Sequence, residues 1–355
     1  MSWFQKFVVL GEISMKYLTP GPIHIPKHII EAYGRQPQFH KLEEFKEIFR
    51  DVIEKLSKVV VGEPVILPGT GTLAVDAMVY NYVEPGERVV ALSYGEFSER
   101  MIESLESRGA EVFRLKLGVG KIPPPDVVED FSRKIGNVSV IALVHNETGA
   151  GCANRYLNKL QNVANSLGAS LIVDSVSGIP AEPIKCVADA IATSSQKAFM
   201  APPGAAILFL NSKPRVKHGV PRSMNLLNFL KVINDGETPY TPPINTVYAL
   251  DASLSYILKI GLDNYFELHK MRAEYLYSRL ALKPIADEPF RSYTVTAFYT
   301  DHVQELVDLL KDKGYIIAKG VGDIKDRSVR IGVMGDVSLD DLRNVVQIVN
   351  NYVGK

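Results

Sequence analysis

The sequence predicts an α/β protein: a large domain with a mostly parallel sheet flanked by helices, then a smaller C-terminal α+β domain. Three observations carry this. Apolar runs of strand length alternate with amphipathic stretches of helix length through residues 64–211. Two of three such stretches close on glycine soon after a basic residue, in "SLESRG" and "SRKIG". Beyond roughly residue 260 the alternation gives way to a different order of strands and helices.

The elements follow in turn. The short run "PVIL" leads through "PGTG" (68–71) into the helical pattern "LAVDAMVYNYV". "ERVVALS" (87–93), "AEVFRLKL" (110–117), "VSVIALVHN" (138–146), "ASLIVDS" (169–175) and "DAIATSS" (189–195) read as strands. Between them "FSERMIESLESRG", "PDVVEDFSRKIG" and "LNKLQNVANSLG" repeat apolar residues at helical spacing. "AAILFLN" (205–211) follows too closely for a parallel crossover and is expected to pair antiparallel. After "TPYTPPINTVYAL" one long helical pattern runs to about Leu282. Strand "YTVTAFYT", helix "HVQELVDLLKDKG", strands "YIIAKG" and "SVRIGVMG", and helix "LDDLRNVVQIVNNYV" complete the chain. The expected division is an N-terminal extension over 1–16, a large domain over 17–258 and a small one over 259–355.

Composition narrows the function classes. With 355 residues, 46% of them hydrophobic, the chain can bury a large core. Lys plus Arg and Asp plus Glu both total 40 without long runs of one sign, so the expected partners are small molecules, with neither nucleic acid nor membrane among them. Cys152 and Cys186 are too few for a disulfide framework and lack zinc-chelating spacing, which fits a reducing cytoplasm. The opening "MSWFQKFVVLGEIS" has no basic n-region or small-residue cleavage site, and no targeting signal is expected.

Ligands of open α/β sheets bind beyond the carboxyl ends of the strands, and four groups fall there. In "PGTGTLAV" (68–75), backbone N–H groups and a helix N-terminus can hold a phosphate, with Thr70 and Thr72 adding hydroxyls, or the turn is bare. A dinucleotide reading of the same glycines needs an acid at the end of the next strand, and "VVALSYG" offers none. Asp174, ending "ASLIVD", either holds a heterocyclic nitrogen protonated or caps the next turn. Lys197, beyond "ATSS", is either a solvated charge or a desolvated amine available for a Schiff base. Phe97 in "SYGEFSER" either lies on a flat ring or packs in the core. His145 reads as a loop or core histidine rather than a catalytic base.

Phosphate cradle, ring-nitrogen acid, flat aromatic and amine nucleophile together are what pyridoxal phosphate requires. From "YLTPGPIHIP" to the final helix, the chain resembles the class V aminotransferases of fold type I, in particular the serine:pyruvate and alanine:glyoxylate branch. The resemblance implies that Lys197 of "SSQKAFMAPPG" carries the cofactor as a Schiff base, with Gln196, Thr70, Gly71 and Thr72 on its phosphate. It implies that Phe97 and Val176 cover the two ring faces, Asp174 pairs with the ring nitrogen and Thr148 reaches the ring hydroxyl. Arg330 in "VRIGVMG" is implied to bind the substrate carboxylate, with Gly21 of "TPGP" nearby. Thr241 is similar to a threonine that relatives send across a homodimer interface to the neighbour's phosphate. The chain departs from the family pattern at Gly149 and Ala150, where hydroxyl residues are common, and at Thr238, where a tyrosine is.

The activity implied is ping-pong transfer of an amino group from a small amino acid of the alanine, serine or aspartate type to a 2-oxo acid such as pyruvate or glyoxylate. The alternative is a lyase or cysteine desulfurase of the same fold. Desulfurases usually carry histidines where this chain has Gln196 and Phe97, and a loop cysteine that residues 292–355 lack.

Overall fold

The computed structural model describes residues 15–216 and 218–354. Of the expected N-terminal extension, residues 1–14 lie outside the described residues, while Lys16 already belongs to the first strand.

In chain order, β1 (Lys16–Tyr17) is followed by α1 (Lys27–Tyr33), α2 (Glu43–Ser57), β2 (Glu63–Gly69), α3 (Gly71–Tyr82), β3 (Arg88–Ser93), α4 (Glu96–Ser107) and β4 (Glu111–Lys116). Next come α5 (Pro125–Ile135), β5 (Val138–Val144), the small hairpin β6 (Asn146–Glu147) and β7 (Cys152–Ala153), α6 (Leu157–Leu167), β8 (Ser170–Asp174), β9 (Ala190–Ser194) and β10 (Gly204–Leu210). The remainder is α7 (Leu226–Leu230), α8 (Ile244–Ile260), α9 (Leu262–Arg279), β11 (Lys283–Pro284), β12 (Val295–Tyr299), α10 (Val303–Asp312), β13 (Tyr315–Ile316), β14 (Ala318–Lys319), β15 (Ser328–Gly332) and α11 (Leu339–Val353).

The main sheet has seven strands in the order β2-β10-β9-β8-β5-β3-β4. β4, β3, β5, β8 and β9 run parallel, and β10 is antiparallel to both β9 and β2. The short connection from β9 to β10 forces that reversal, because a parallel crossover needs about a dozen residues. Every residue of β9, and all of β5 except Ser139, is buried. This is why those segments read as unbroken apolar runs rather than alternating ones. α3, α4 and α6 pack against the sheet, and the carboxyl ends of β2, β3, β5, β8 and β9 share one edge.

A second, four-stranded antiparallel sheet runs β11-β12-β15-β14. It has its own core of Leu276, Phe298, Leu306, Ile331, Leu342 and Val345. Full burial of each leucine there contributes about 1.5–3 kcal/mol. β1 pairs in parallel with β13, and Leu18 belongs to this core with its carbonyl accepting from the Gly332 N–H of β15 at 2.8 Å, so the start of the described chain is fastened to the second sheet.

Two elements differ from expectation. The long helical pattern ending near Leu282 is broken at Gly261, whose φ of +89° lies outside helical backbone, into α8 and α9. "YIIAKG" is not one strand: the chain turns at buried Ile317, so β13 pairs with β1 while β14 pairs with β15. No described helix is long and apolar enough to cross a membrane.

Candidate active site

The site forms where the shared edge of the main sheet meets the segment after β1 and the second sheet. Two adjoining clefts meet there. Phe97, Arg100 and Lys197 line both.

The first cleft, of about 610 Å³, is floored by the turn from β2 into α3. Thr70 is the N-cap of α3 with extended backbone and no side-chain cap bond. The first-turn N–H groups of a helix have no intrahelical acceptor, so they give this end a partial positive charge. Gly71 is required by space: a Cβ there would stand 2.6 Å from Val176 Cγ1 and 3.3 Å from Ser194 Oγ. Beside this turn, buried Ser194 Oγ and Gln196 Oε1 have no hydrogen-bond partner among the described residues. Thr70, Gly71, Thr72, Asp174, Val176, Gln196 and Lys197, all singled out from sequence, line this one cleft.

Asp174 closes β8, and its Oδ1 accepts from the Val176 backbone N–H at 2.8 Å. Burial pushes its carboxyl up to about 7, against the pull of that bond and of Lys197. Lys197 lies beyond the end of β9, and its amine donates to the Pro20 carbonyl at 2.8 Å. Burial, reinforced by the Arg330 charge, lowers its pKa to about 8. An acid that resists ionising and an amine that sheds its proton readily thus share one water-poor space.

Arg330 reaches the second cleft from β15, between β12 and β14. Its Nε donates to the Lys319 carbonyl at 2.8 Å, and burial lowers its pKa to about 10. Gly21, at φ +126°, faces Lys197 so closely that a Cβ would lie 2.6 Å from Nζ.

A family model described as Aminotransferase class-V matches residues 31–321. The chain belongs to the class V aminotransferases. It is 29% identical to an uncharacterized aminotransferase of Methanocaldococcus jannaschii over 336 residues, covering 90% of this chain and 87% of the relative. A serine–glyoxylate aminotransferase of Methylorubrum extorquens is 27% identical over 348 residues, 90% of this chain and 86% of that protein. Among solved structures, an aspartate aminotransferase of subgroup IV from Thermus thermophilus superposes with a TM-score of 0.87 at 29% identity, covering 96% of this chain and 99% of that one. The fold is that of the fold type I aminotransferases, and the protein is an aminotransferase.

Two residues singled out from sequence stand apart from the clefts of this aminotransferase. Thr148 is buried in the turn between β6 and β7 and lines neither. Thr241 is exposed, next to Tyr240, whose hydroxyl donates to the Arg222 carbonyl at 3.1 Å. His145 is a core residue: it is buried, 2.8 Å from Ser175 Oγ, and burial lowers its pKa to about 4.

Glu147 and Arg100 were not foreseen. The Glu147 carboxylate accepts from the backbone N–H groups of Phe97 at 3.2 Å, Ser98 at 2.9 Å and Gly149 at 3.0 Å. It thereby caps α4 from another part of the chain and fixes the Phe97 backbone. Arg100, one turn further along α4, lays its guanidinium 4.9 Å from the centre of the Phe97 ring. Glu147 ends β6 of the small hairpin, within "NETG".

Proposed function

We propose that this aminotransferase uses pyridoxal phosphate carried on Lys197 to move the amino group of a small amino acid, of the alanine, serine or aspartate type, to a 2-oxo acid such as pyruvate or glyoxylate. The observation that carries this reading is the Lys197 amine, buried where the two clefts join and held near pKa 8.

The residues present fit the cofactor. The open N-terminus of α3, the Ser194 hydroxyl without a partner among the described residues, and a turn in which Gly71 leaves no room for a side chain form a donor set for a phosphate dianion. Thr70, Gly71, Thr72 and Gln196 would hold the phosphate, Asp174 the ring nitrogen, and Phe97 and Val176 the ring faces. When bound, pyridoxal phosphate supplies an electron sink for the pair left at the substrate Cα.

The chain's own groups do the rest. As a free amine, Lys197 takes the proton from the substrate Cα and returns it in the reverse direction. Its lowered pKa makes that form accessible near neutral pH. Buried Asp174 regains its charge beside a cationic N–H, and so keeps the ring nitrogen protonated. Arg330 binds the α-carboxylate that amino donor and oxo acceptor share, so one residue serves both halves of the exchange.

Assembly as a homodimer would bring exposed Thr241 to a phosphate site of the partner subunit. The two buried free thiols, Cys152 and Cys186, suit a reducing cytoplasm. Reconstitution with pyridoxal phosphate, borohydride fixation and peptide mapping test the assignment. The label is expected on Lys197, and a label on another lysine overturns it.

A further inference from the structure

We propose that Arg100 is a second carboxylate-binding residue and that the preferred amino donor is an amino-dicarboxylic acid, of the aspartate and glutamate class. The inference rests on the function proposed above and narrows its substrate.

The second cleft is lined by Arg100, Lys197 and Arg330, and no acidic side chain is among its lining residues. Its remaining walls include Tyr17, Ile316 and Val321. An apolar cleft with three cations is built for anions. Lys197 is engaged by the cofactor in the resting enzyme, and one guanidinium suffices for the α-carboxylate common to all donors. Arg330 fills that role from β15, leaving Arg100 without a substrate group to bind for any donor with a neutral side chain.

Arg100 is also held ready. Its Nε donates to Glu96 Oε1 at 3.0 Å, its Nη2 lies 3.0 Å from the same oxygen, and its plane is steadied on the Phe97 ring. Its Nη1 has no partner among the described residues. Arg330 likewise spends Nε on the Lys319 carbonyl and keeps its Nη groups free of described partners. The two guanidinium groups are close enough that the Arg100 charge helps to lower the Arg330 pKa. A substrate with a carboxylate at each end answers both forks, one at buried Arg330 and one at Arg100 on the exposed side of the cleft. Alanine or serine answers only one.

Glu96 offsets the Arg100 charge but occupies only the Nε–Nη2 edge of the guanidinium, so Nη1 keeps its donor capacity for a second carboxylate. Arg100 also lines the first cleft, so a role on the cofactor phosphate is the competing assignment, and it predicts a different readout.

The test uses the holoenzyme with glyoxylate as acceptor. kcat/KM is measured for L-aspartate, L-glutamate, L-alanine and L-serine in the unmodified protein, Arg100→Gln and Arg100→Lys, together with pyridoxal phosphate affinity. The unmodified enzyme is expected to favour a dicarboxylic donor over alanine and serine by at least about tenfold. Arg100→Gln is expected to reduce that preference by at least about tenfold, chiefly through KM of the dicarboxylic donor. Arg100→Lys should fall between, since it keeps the charge and loses the fork, and pyridoxal phosphate affinity should hold within about threefold in both. Preference for neutral donors, an unmoved ratio in Arg100→Gln, or an equal loss for all donors with weakened cofactor binding overturns the assignment. Turnover with neutral donors alone overturns only this inference. No turnover with any donor overturns the function proposed above as well.

Discussion

The Lys197 amine donates a hydrogen bond to the Pro20 carbonyl at 2.8 Å across 177 positions of sequence. The contact ties the segment after β1, which is fastened to the second sheet where the Leu18 carbonyl accepts from the Gly332 N–H of β15 at 2.8 Å, to the residue beyond the end of β9. The approach depends on the next residue. Gly21 sits at φ +126°, and a Cβ there would meet Lys197 Cδ and Nζ, each at 2.6 Å.

Gly21→Ala is therefore expected to displace the Lys197 side chain and strain the backbone by roughly 1–3 kcal/mol. Activity should fall at least about tenfold while far-ultraviolet circular dichroism stays unchanged. Full activity would mean that the Lys197 position is not set by this contact.

Asp174→Asn should fold and retain the cofactor, because the phosphate cradle at α3 is untouched. Turnover should drop on the order of 100-fold or more, since an amide no longer favours a protonated ring nitrogen. The comparison is cofactor content against kcat. Near-normal kcat would reduce Asp174 to the cap of the turn at Val176.

Acid stability follows from two buried histidines. The pKa of His145 is lowered by burial to about 4 and that of His269 to about 3, from 6.5. Both are depressed below the unfolded value, so their contribution to stability is full above pH 6.5 and is lost as pH falls toward the folded values. At pH 4.5 each should have cost roughly 2–3 kcal/mol relative to pH 7, read by chemical denaturation at the two pH values. His145→Asn should flatten the pH dependence; an unchanged slope would show that His145 does not titrate on unfolding.

Much of this was legible because it is local. β5 and β9 are buried throughout, so their runs stand out, and Gly69 to Thr72 must turn from strand to helix within a few residues. The break at Gly261 was missed because apolar spacing continues across it; one glycine changes the backbone without changing the pattern. The split of "YIIAKG" depends on β1, some 300 positions away, which no local window contains. Glu147 and Arg100 were overlooked for the same reason. One acts by capping a helix in another segment, the other by sharing a cleft with Arg330 and Lys197. The placement of Thr241 relative to a cofactor is a property of two chains, which a single sequence cannot express in its spacing.

As a transferase, the enzyme should stop halfway when no acceptor is present. Kinetics should be ping-pong, because one site processes donor and acceptor in turn. The most direct measurement adds one amino donor to the reconstituted enzyme with no oxo acid, follows the visible absorbance of bound pyridoxal phosphate, and then adds pyruvate or glyoxylate. A stoichiometric loss of absorbance that the oxo acid restores is expected. Sustained turnover of every competent donor without an acceptor, releasing ammonia or reduced sulfur, would contradict it.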